Sequence, residues 1–224
     1  MHLIIFDIDG TILDSVDEDD KCFIQTFADL YQLDLGAVAW NDFKHVTDAW
    51  MMTTIFEQYF DRAPSGEELD QMKTHYYQLL DGVKHKFKAV NNALKFIELL
   101  HARMDCIIGF ATGGWGANAI LKCSSVGLDL ERFIFKTSSD HYDRGRIVEL
   151  VVQEARDKHK LKGFDSITYF GDGLWDYRTT QLLGIDFVGV DIHGNGKLSK
   201  AGVGKVIRDY DDSGLILSWI QDNN

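Results

Sequence analysis

Apolar residues along this chain keep two rhythms. Residues 3–8, Leu-Ile-Ile-Phe-Asp-Ile, form a nearly unbroken apolar run, the signature of a central strand covered on both faces. Comparable runs lie at 105–111, 133–135, 166–170, 186–190 and 205–208. Between them the spacing becomes helical. Val90, Leu94, Ile97 and Leu100 share one face, as do Ile120, Leu121 and Ser124. Ile147, Leu150, Val151 and Ala155 make the next stripe, and Leu182 and Leu183 close another. Strands alternating with helices predict an α/β fold, a Rossmann-like doubly wound parallel sheet with helices on both faces.

The alternation fails over residues 15–85, where no strand pattern appears. Three helical stripes replace it. One runs through Phe23, Phe27, Leu30 and Tyr31, and a second through Phe43, Val46, Trp50, Phe56 and Tyr59. The third takes in Leu69, Met72, Tyr76, Leu79 and Leu80, and Pro64-Ser65-Gly66 separates it from the second. Seventy residues are far more than a strand-to-strand crossover needs. We therefore expect a core domain of residues 1–14 and 86–224, with a small α-helical domain, 15–85, inserted after the first strand.

Composition changes this picture little. There is no repeat, linker or low-complexity tract, so disorder is expected only at the polar end, residues 221–224. A formal net charge of −12 argues against nucleic acid as a partner, because phosphate backbones select basic surfaces. A small phosphorylated substrate stays compatible if a metal or local cations offset the repulsion. No signal peptide or membrane-length apolar segment is apparent. Cys22, Cys106 and Cys123 are widely spaced and odd in number, which fits free thiols, a reducing compartment and a cytoplasmic monomer or weak homodimer.

Acidic residues cluster where strands end, the edge at which α/β sheets bind ligands. Asp7-Ile8-Asp9-Gly10-Thr11 ends the first run, and extended alternation would put Asp7 and Asp9 on one side. Carboxylates that close repel unless a cation lies between them. Gly171-Asp172-Gly173-Leu174-Trp175-Asp176 ends a later run, and Asp172 and Asp176 reach one point across a strand-to-helix turn. The two clusters supply hard oxygen ligands suited to Mg2+. A capping role for Asp176 at the following helix is the simpler alternative. Phe110-Ala111-Thr112-Gly113-Gly114-Trp115 leads from a strand into a helix, offering a hydroxyl and backbone N–H groups to an anion. Gly114-Trp115-Gly116-Ala117-Asn118-Ala119 also fits a relaxed dinucleotide fingerprint. The next strand carries no acid at its tip and the unit is not the first, so we read that as a chance match. A phosphate site this acidic needs a permanent cation, and Asp143-Arg144-Gly145-Arg146 opens a helix with two arginines.

In this order the four elements resemble the haloacid dehalogenase-like superfamily, with a phosphoglycolate phosphatase-like layout and the helical insert standing where such proteins carry a cap. The resemblance covers the core, about two-thirds of the chain. It implies an enzyme: a Mg2+-dependent phosphoric monoester hydrolase acting on a small phosphorylated metabolite. Asp7 would be the nucleophile that forms an aspartyl-phosphate, and Asp9 the general acid and then base. Thr112, the Gly113 N–H and an arginine would hold the phosphoryl oxygens, Arg144 being preferred to Arg146. Asp7, the Asp9 backbone carbonyl and Asp172 would bind the metal, with Asp176 as a direct or supporting ligand. Where many members have Lys-Pro, this chain has neither residue.

Several other chemistries share that core. Asp9 argues against carbon–halogen cleavage, because a halide leaves without a proton. Phosphonate cleavage would need a cap lysine, for which Lys21, Lys44 and Lys73 are candidates, although an exposed helical lysine is the commoner meaning. A sugar-phosphate mutase, similar to beta-phosphoglucomutase, shares the same core and cap and is the alternative reading. A non-catalytic binding protein is disfavoured by the presence of both Asp7 and Asp9. Hinges are expected near Asp14 and Ser15 and across 84–87. Asp17-Glu18-Asp19-Asp20 reads first as an acidic helix start and second as a reader of a cationic group. Trp40, Trp50, Phe56 and Tyr59 are expected to pack the insert's own core, and Trp115 and Trp175 to wall the pocket or pack between insert and sheet.

Overall fold

In the computed structural model, which describes residues 1–221, the apolar runs line up as one parallel sheet. Its strands are β1 (His2–Phe6), β4 (Cys106–Ala111), β5 (Ile134–Lys136), β6 (Ser166–Gly171), β7 (Asp186–Val190) and β8 (Val206–Ile207), in the order β5-β4-β1-β6-β7-β8. A two-stranded antiparallel ribbon, β2 (Leu13–Asp14) with β3 (Lys88–Ala89), stands apart. The helices are α1 (Val16–Tyr31), α2 (Asp48–Phe60), α3 (Gly66–Val83), α4 (Ala93–His101), α5 (Gly116–Ser125), α6 (Arg144–His159), α7 (Leu174–Leu183), α8 (Lys197–Lys200) and α9 (Ser213–Gln221). Of the terminal stretch expected to be disordered, Gln221 ends α9, and 222–224 lie outside the described residues.

β1 sits in the middle because its side chains are apolar on both faces. Ile4 and Phe6 point to one layer, with Phe110, Phe170, Ala119, Cys123 and Ile216. Leu3 and Ile5 point to the other, with Ile107, Tyr169, Ile147 and Val151. Full burial of each such large side chain is worth roughly 1.5–3 kcal/mol, which makes this alternation the main determinant of register. Phe6 pairs across the sheet with Phe110 and Phe170, its ring centroid 5.9 and 4.8 Å from theirs. The register brings the ends of β1, β4 and β6 level, so the residues after Phe6, Ala111 and Gly171 share one edge.

A third cluster is built mainly from α1, α2 and α3. Phe23 and Phe27 of α1, Met52, Ile55 and Phe56 of α2, and Met72, Tyr76 and Leu80 of α3 are all buried together. α3 starts with a capping box in which Ser65 and Glu68 satisfy each other's backbone N–H groups. No helix among the described residues is long and apolar enough to cross a membrane.

Four expected stripes are corrected. The one from Phe43 to Tyr59 is helical only from Asp48, because the Thr47 hydroxyl accepts the Trp50 N–H and starts the helix there. Within it Tyr59 is 49% exposed, and Trp50 stacks on Tyr142 outside the insert. Val90 precedes α4 rather than belonging to it, and Leu182 is 87% exposed. α5 fully buries Asn118, Ala119, Lys122 and Cys123, while Ile120 and Leu121 of the expected stripe are half-buried against the sheet layer and the α1–α3 cluster and Ser124 is exposed, because the helix is covered from two sides. All three cysteines are free; Cys22 and Cys123 are buried and Cys106 is half-buried.

α6 reaches the sheet closely enough to carry Arg144 to its edge because Gly109 of β4 has no side chain. A Cβ there would lie 2.5 Å from Val151 Cγ1. Gly109→Ala should therefore destabilise the fold by about 1–3 kcal/mol through overpacking. Urea unfolding of Gly109→Ala, Val151→Ala and the double variant should show that the double loses less than the sum of the singles by about 1 kcal/mol.

Candidate active site

Asp7 follows β1 directly, and its N–H is held by the Phe170 carbonyl at 2.9 Å. The chain then turns. The Ile8 carbonyl accepts from Thr11, Ile12 and Leu13, so Asp7 and Asp9 do not lie on an extended strand as expected. Gly10 takes a positive φ of 71°, and a Cβ there would stand 2.6 Å from Asp172 Cγ, so only glycine lets the turn and that carboxylate meet. As a result Asp7 and Asp9 line the same cavity but have different partners.

The Asp7 carboxylate faces the far edge. Arg144, the first residue of α6, places Nη1 2.6 Å from Asp176 Oδ1 and 3.5 Å from Asp7 Oδ1, and its Nη2 donates to the Val46 carbonyl at 3.1 Å. Asp143 caps α6 by accepting from Gly145 and Arg146, which fixes where Arg144 leaves the helix. Arg146 instead pairs with Glu149 on the surface. Asp176 is fully buried. It caps α7 through the Gly173 N–H at 2.9 Å and also accepts from Arg144 and Tyr169, so the capping residue touches the buried arginine as well. Asp172 is held by Lys197, whose Nζ is 3.1 Å from Oδ2.

Asp7, Asp172 and Asp176 each bring a carboxylate oxygen within 4.8 Å of the others. An all-carboxylate set with no histidine or cysteine suits a hard cation such as Mg2+ better than zinc. Burial pushes Asp7 well above the usual carboxylate range; Arg144 opposes this, while Asp176, Asp172 and Asp9 add to it. Asp172 is pushed up to about 6, again by burial first, with Lys197 opposing. Such a cluster carries more negative charge than its cations offset, and a divalent ion would relieve it.

Thr112 follows β4 and is buried; its Oγ1 accepts from the Gly114 N–H at 3.2 Å. The Trp115 N–H donates to Asp48 at 2.8 Å, and the Gly113 carbonyl accepts from the Asp48 N–H at 2.8 Å. The expected anion cradle is thus partly taken by the first residue of α2, a contact that sequence spacing does not reveal.

Asp9 looks the other way. Its Oδ1 accepts from Ser15 and its Oδ2 from Lys122 Nζ at 2.6 Å, and that same Nζ lies 2.6 Å from Asp19 Oδ1 in α1. Lys122 is 1% exposed. Neither Lys122 nor Lys197 stands out in the sequence, since a single lysine in a helix usually faces water. The only trace of Lys122 is its place between Ala119 and Cys123. Lys21, by contrast, pairs with Glu18 on the surface.

A cavity of about 230 Å3 lies over these residues. Asp7, Asp9, Thr112, Arg144 and Asp172 form its floor. Helices α1 and α2 and the segment between them supply Asp19, Asp20, Asp48, Phe23 and Trp40 to the opposite wall. Burial is the first cause that raises all three acids of that wall, Asp20 to about 7 and Asp48 to about 8. Trp175 lines the cavity, whereas Trp115 is buried against Tyr76 in the insert's cluster.

With this geometry in view, comparisons place the chain. A family model described as haloacid dehalogenase-like hydrolase matches residues 4–190. A hydrolase from Pseudomonas syringae superposes with a TM-score of 0.75 at 20% identity, over 98% of this chain and 99% of that one. CbbY from Rhodobacter sphaeroides, in complex with phosphate, gives 0.73 at 14% identity, over 95% and 96%. A predicted phosphoglycolate phosphatase from Haemophilus somnus gives 0.69 at 16% identity, over 96% and 97%. At these identities the likeness is one of fold. Comparison with curated proteins gives no match. On the family match over most of its length, the chain belongs to the haloacid dehalogenase-like hydrolases.

Proposed function

We propose that this hydrolase is a Mg2+-dependent phosphatase of small phosphate monoesters, working through an aspartyl-phosphate on Asp7. One observation carries the reading: the carboxylate of Asp7 lies at the floor of a cavity beside a buried guanidinium, while that of Asp9 lies at the same cavity with separate partners. Two carboxylates in different surroundings suit two different tasks. Asp7 attacks phosphorus as the bond to the leaving oxygen breaks, and Asp9 donates the proton that this oxygen needs. Asp9 then takes a proton from water as the water oxygen attacks phosphorus, which frees Asp7 and phosphate. Arg144, Thr112 and the Gly113 N–H hold the phosphoryl oxygens. Asp7, Asp172, Asp176 and the Asp9 carbonyl would hold the metal, which when bound offsets the charge gathered on the phosphoryl group. Residues 15–85 act as a cap domain over a core of 1–14 and 86–224, with the β2–β3 ribbon at the junction. Phosphate bound in the CbbY relative is in keeping with this reading.

Asp7→Asn should lower phosphate release across a panel of phosphorylated metabolites by about a thousandfold or more. Its thermal midpoint should change little, because Arg144 keeps Asp176 as its nearer partner at 2.6 Å while the repulsion of Asp7 by Asp176, Asp172 and Asp9 is relieved. Excess chelator should silence the native enzyme and Mg2+ restore it. Full activity in the variant or under chelation would exclude the mechanism.

The wall opposite the floor decides which leaving groups fit. Asp20 and Asp48 sit at about 7 and 8, so they gain charge as pH rises from 6 to 9. Over that range the kcat/KM ratio of a neutral polyol phosphate to one with an anionic tail should rise by roughly tenfold, equal to about 1.4 kcal/mol of added repulsion. A flat or falling ratio would show that the wall does not meet the leaving group.

A further inference from the structure

Lys122 is costly as a packing residue. It lies on the α5 face pressed between the sheet layer, through Ala119 and Cys123, and the insert, through α3. An apolar side chain would fill that place without the loss of hydration that a buried ammonium suffers, and buried ion pairs rarely gain stability over apolar replacements. The ammonium is retained between two carboxylates, Asp9 Oδ2 and Asp19 Oδ1, each at 2.6 Å. These two partners belong to different parts of the molecule. Asp9 is in the turn after β1, and Asp19 is in α1 of the insert, where its other oxygen accepts the Tyr76 hydroxyl of α3 at 2.8 Å.

The arrangement fixes Asp9 at two points. Ser15 Oγ holds one carboxylate oxygen and Lys122 Nζ holds the other, which sets both the position and the rotation of the carboxylate plane. Lys122 Nζ is located in turn by Asp19, and Asp19 by Tyr76. Seating α1 and α3 over the sheet edge therefore completes the frame around Asp9.

We propose that Lys122 is the positioning residue for Asp9, holding its carboxylate on the leaving oxygen and linking that placement to closure of the helical insert through Asp19. The proposal rests on the phosphatase reading, in which Asp9 handles the proton. It assigns Lys122 no contact with the phosphoryl group and no proton transfer of its own.

The test compares two esters. An alkyl phosphate needs its leaving oxygen protonated, whereas 4-nitrophenyl phosphate releases a stable phenolate without a proton. Lys122→Met should lower kcat/KM for the alkyl ester by about 100-fold and for the aryl ester by less than about fivefold, because proton donation by a placed acid contributes on that scale. It should also produce a burst of nitrophenolate, since a misplaced Asp9 activates water slowly and the phosphoenzyme accumulates. Asp9→Asn is the benchmark and should show the same split. If Lys122→Met fails to fold, the double variant Lys122→Met with Asp19→Asn, which removes one buried charge of each sign, takes its place. Equal losses on both esters without a burst, or no loss, would reduce Lys122 to a structural role and overturn the proposal, while the split in Asp9→Asn keeps the phosphatase reading. Absence of the split in Asp9→Asn as well would remove the proton role of Asp9, and both ideas would fall.

Discussion

Buried negative charge is the constraint around which this molecule is arranged. Asp7 and Asp176 converge beside Arg144, and Asp9 and Asp19 converge on Lys122, all at or near one sheet edge. A carboxylate moved out of water without a partner loses several kcal/mol, and removing one member of a buried pair costs about 3–5 kcal/mol. The acids can be there only because two cations, from the starts or interiors of different helices, are delivered to within hydrogen-bond distance. The remaining architecture can be read as the means of that delivery.

The sheet is the first part of it. Three neighbouring strands in parallel register end level, so the three loops that follow them open onto one edge. α6 is brought close by Gly109, and its first residue, not its third, turns inward because Asp143 caps the helix just before it. α5 lies against the same sheet with its buried face shared between two layers, which puts Lys122 under the insert rather than in water.

The second part is the separation of the two halves of the site. The far side of the cavity floor gathers Asp7 and Asp172 with Arg144 and Lys197, and Asp176 lies buried behind Arg144, a set suited to an anion and a hard cation. The near side gathers Asp9, Asp19, Asp20 and Asp48 with one ammonium, and aromatic rings of α1 and the following segment close it. Charge is thus unequal across a short distance. The half with Arg144 and Lys197 suits an anion, and the half with Asp19, Asp20 and Asp48 is a wall of half-buried and buried acids.

Much of this was legible in one dimension. Apolar runs located every strand of the main sheet to within about two residues, because a strand buried on both faces tolerates almost no polar interruption. The helices between β2 and β3 were visible as a failure of alternation, and the acids that follow β1 and β6 stood out because short motifs at strand ends have local causes, a turn and a helix start. Helix faces were read less well. The stripe through Phe43 ran past the true start of α2, and the α5 stripe took in the half-buried Ile120 and Leu121 but missed the four fully buried positions, because hydrophobicity cannot tell which of two covering layers a helix meets. What the sequence determined by itself was the order of elements and the residue types at the sheet edge. What only the tertiary structure decided was pairing: that Arg144 and not Arg146 turns inward, that Asp48 occupies part of the Thr112 turn, and that Lys122 reaches Asp9. Those contacts join residues 32 or more positions apart, and such partners are set by how layers stack, which no local pattern records.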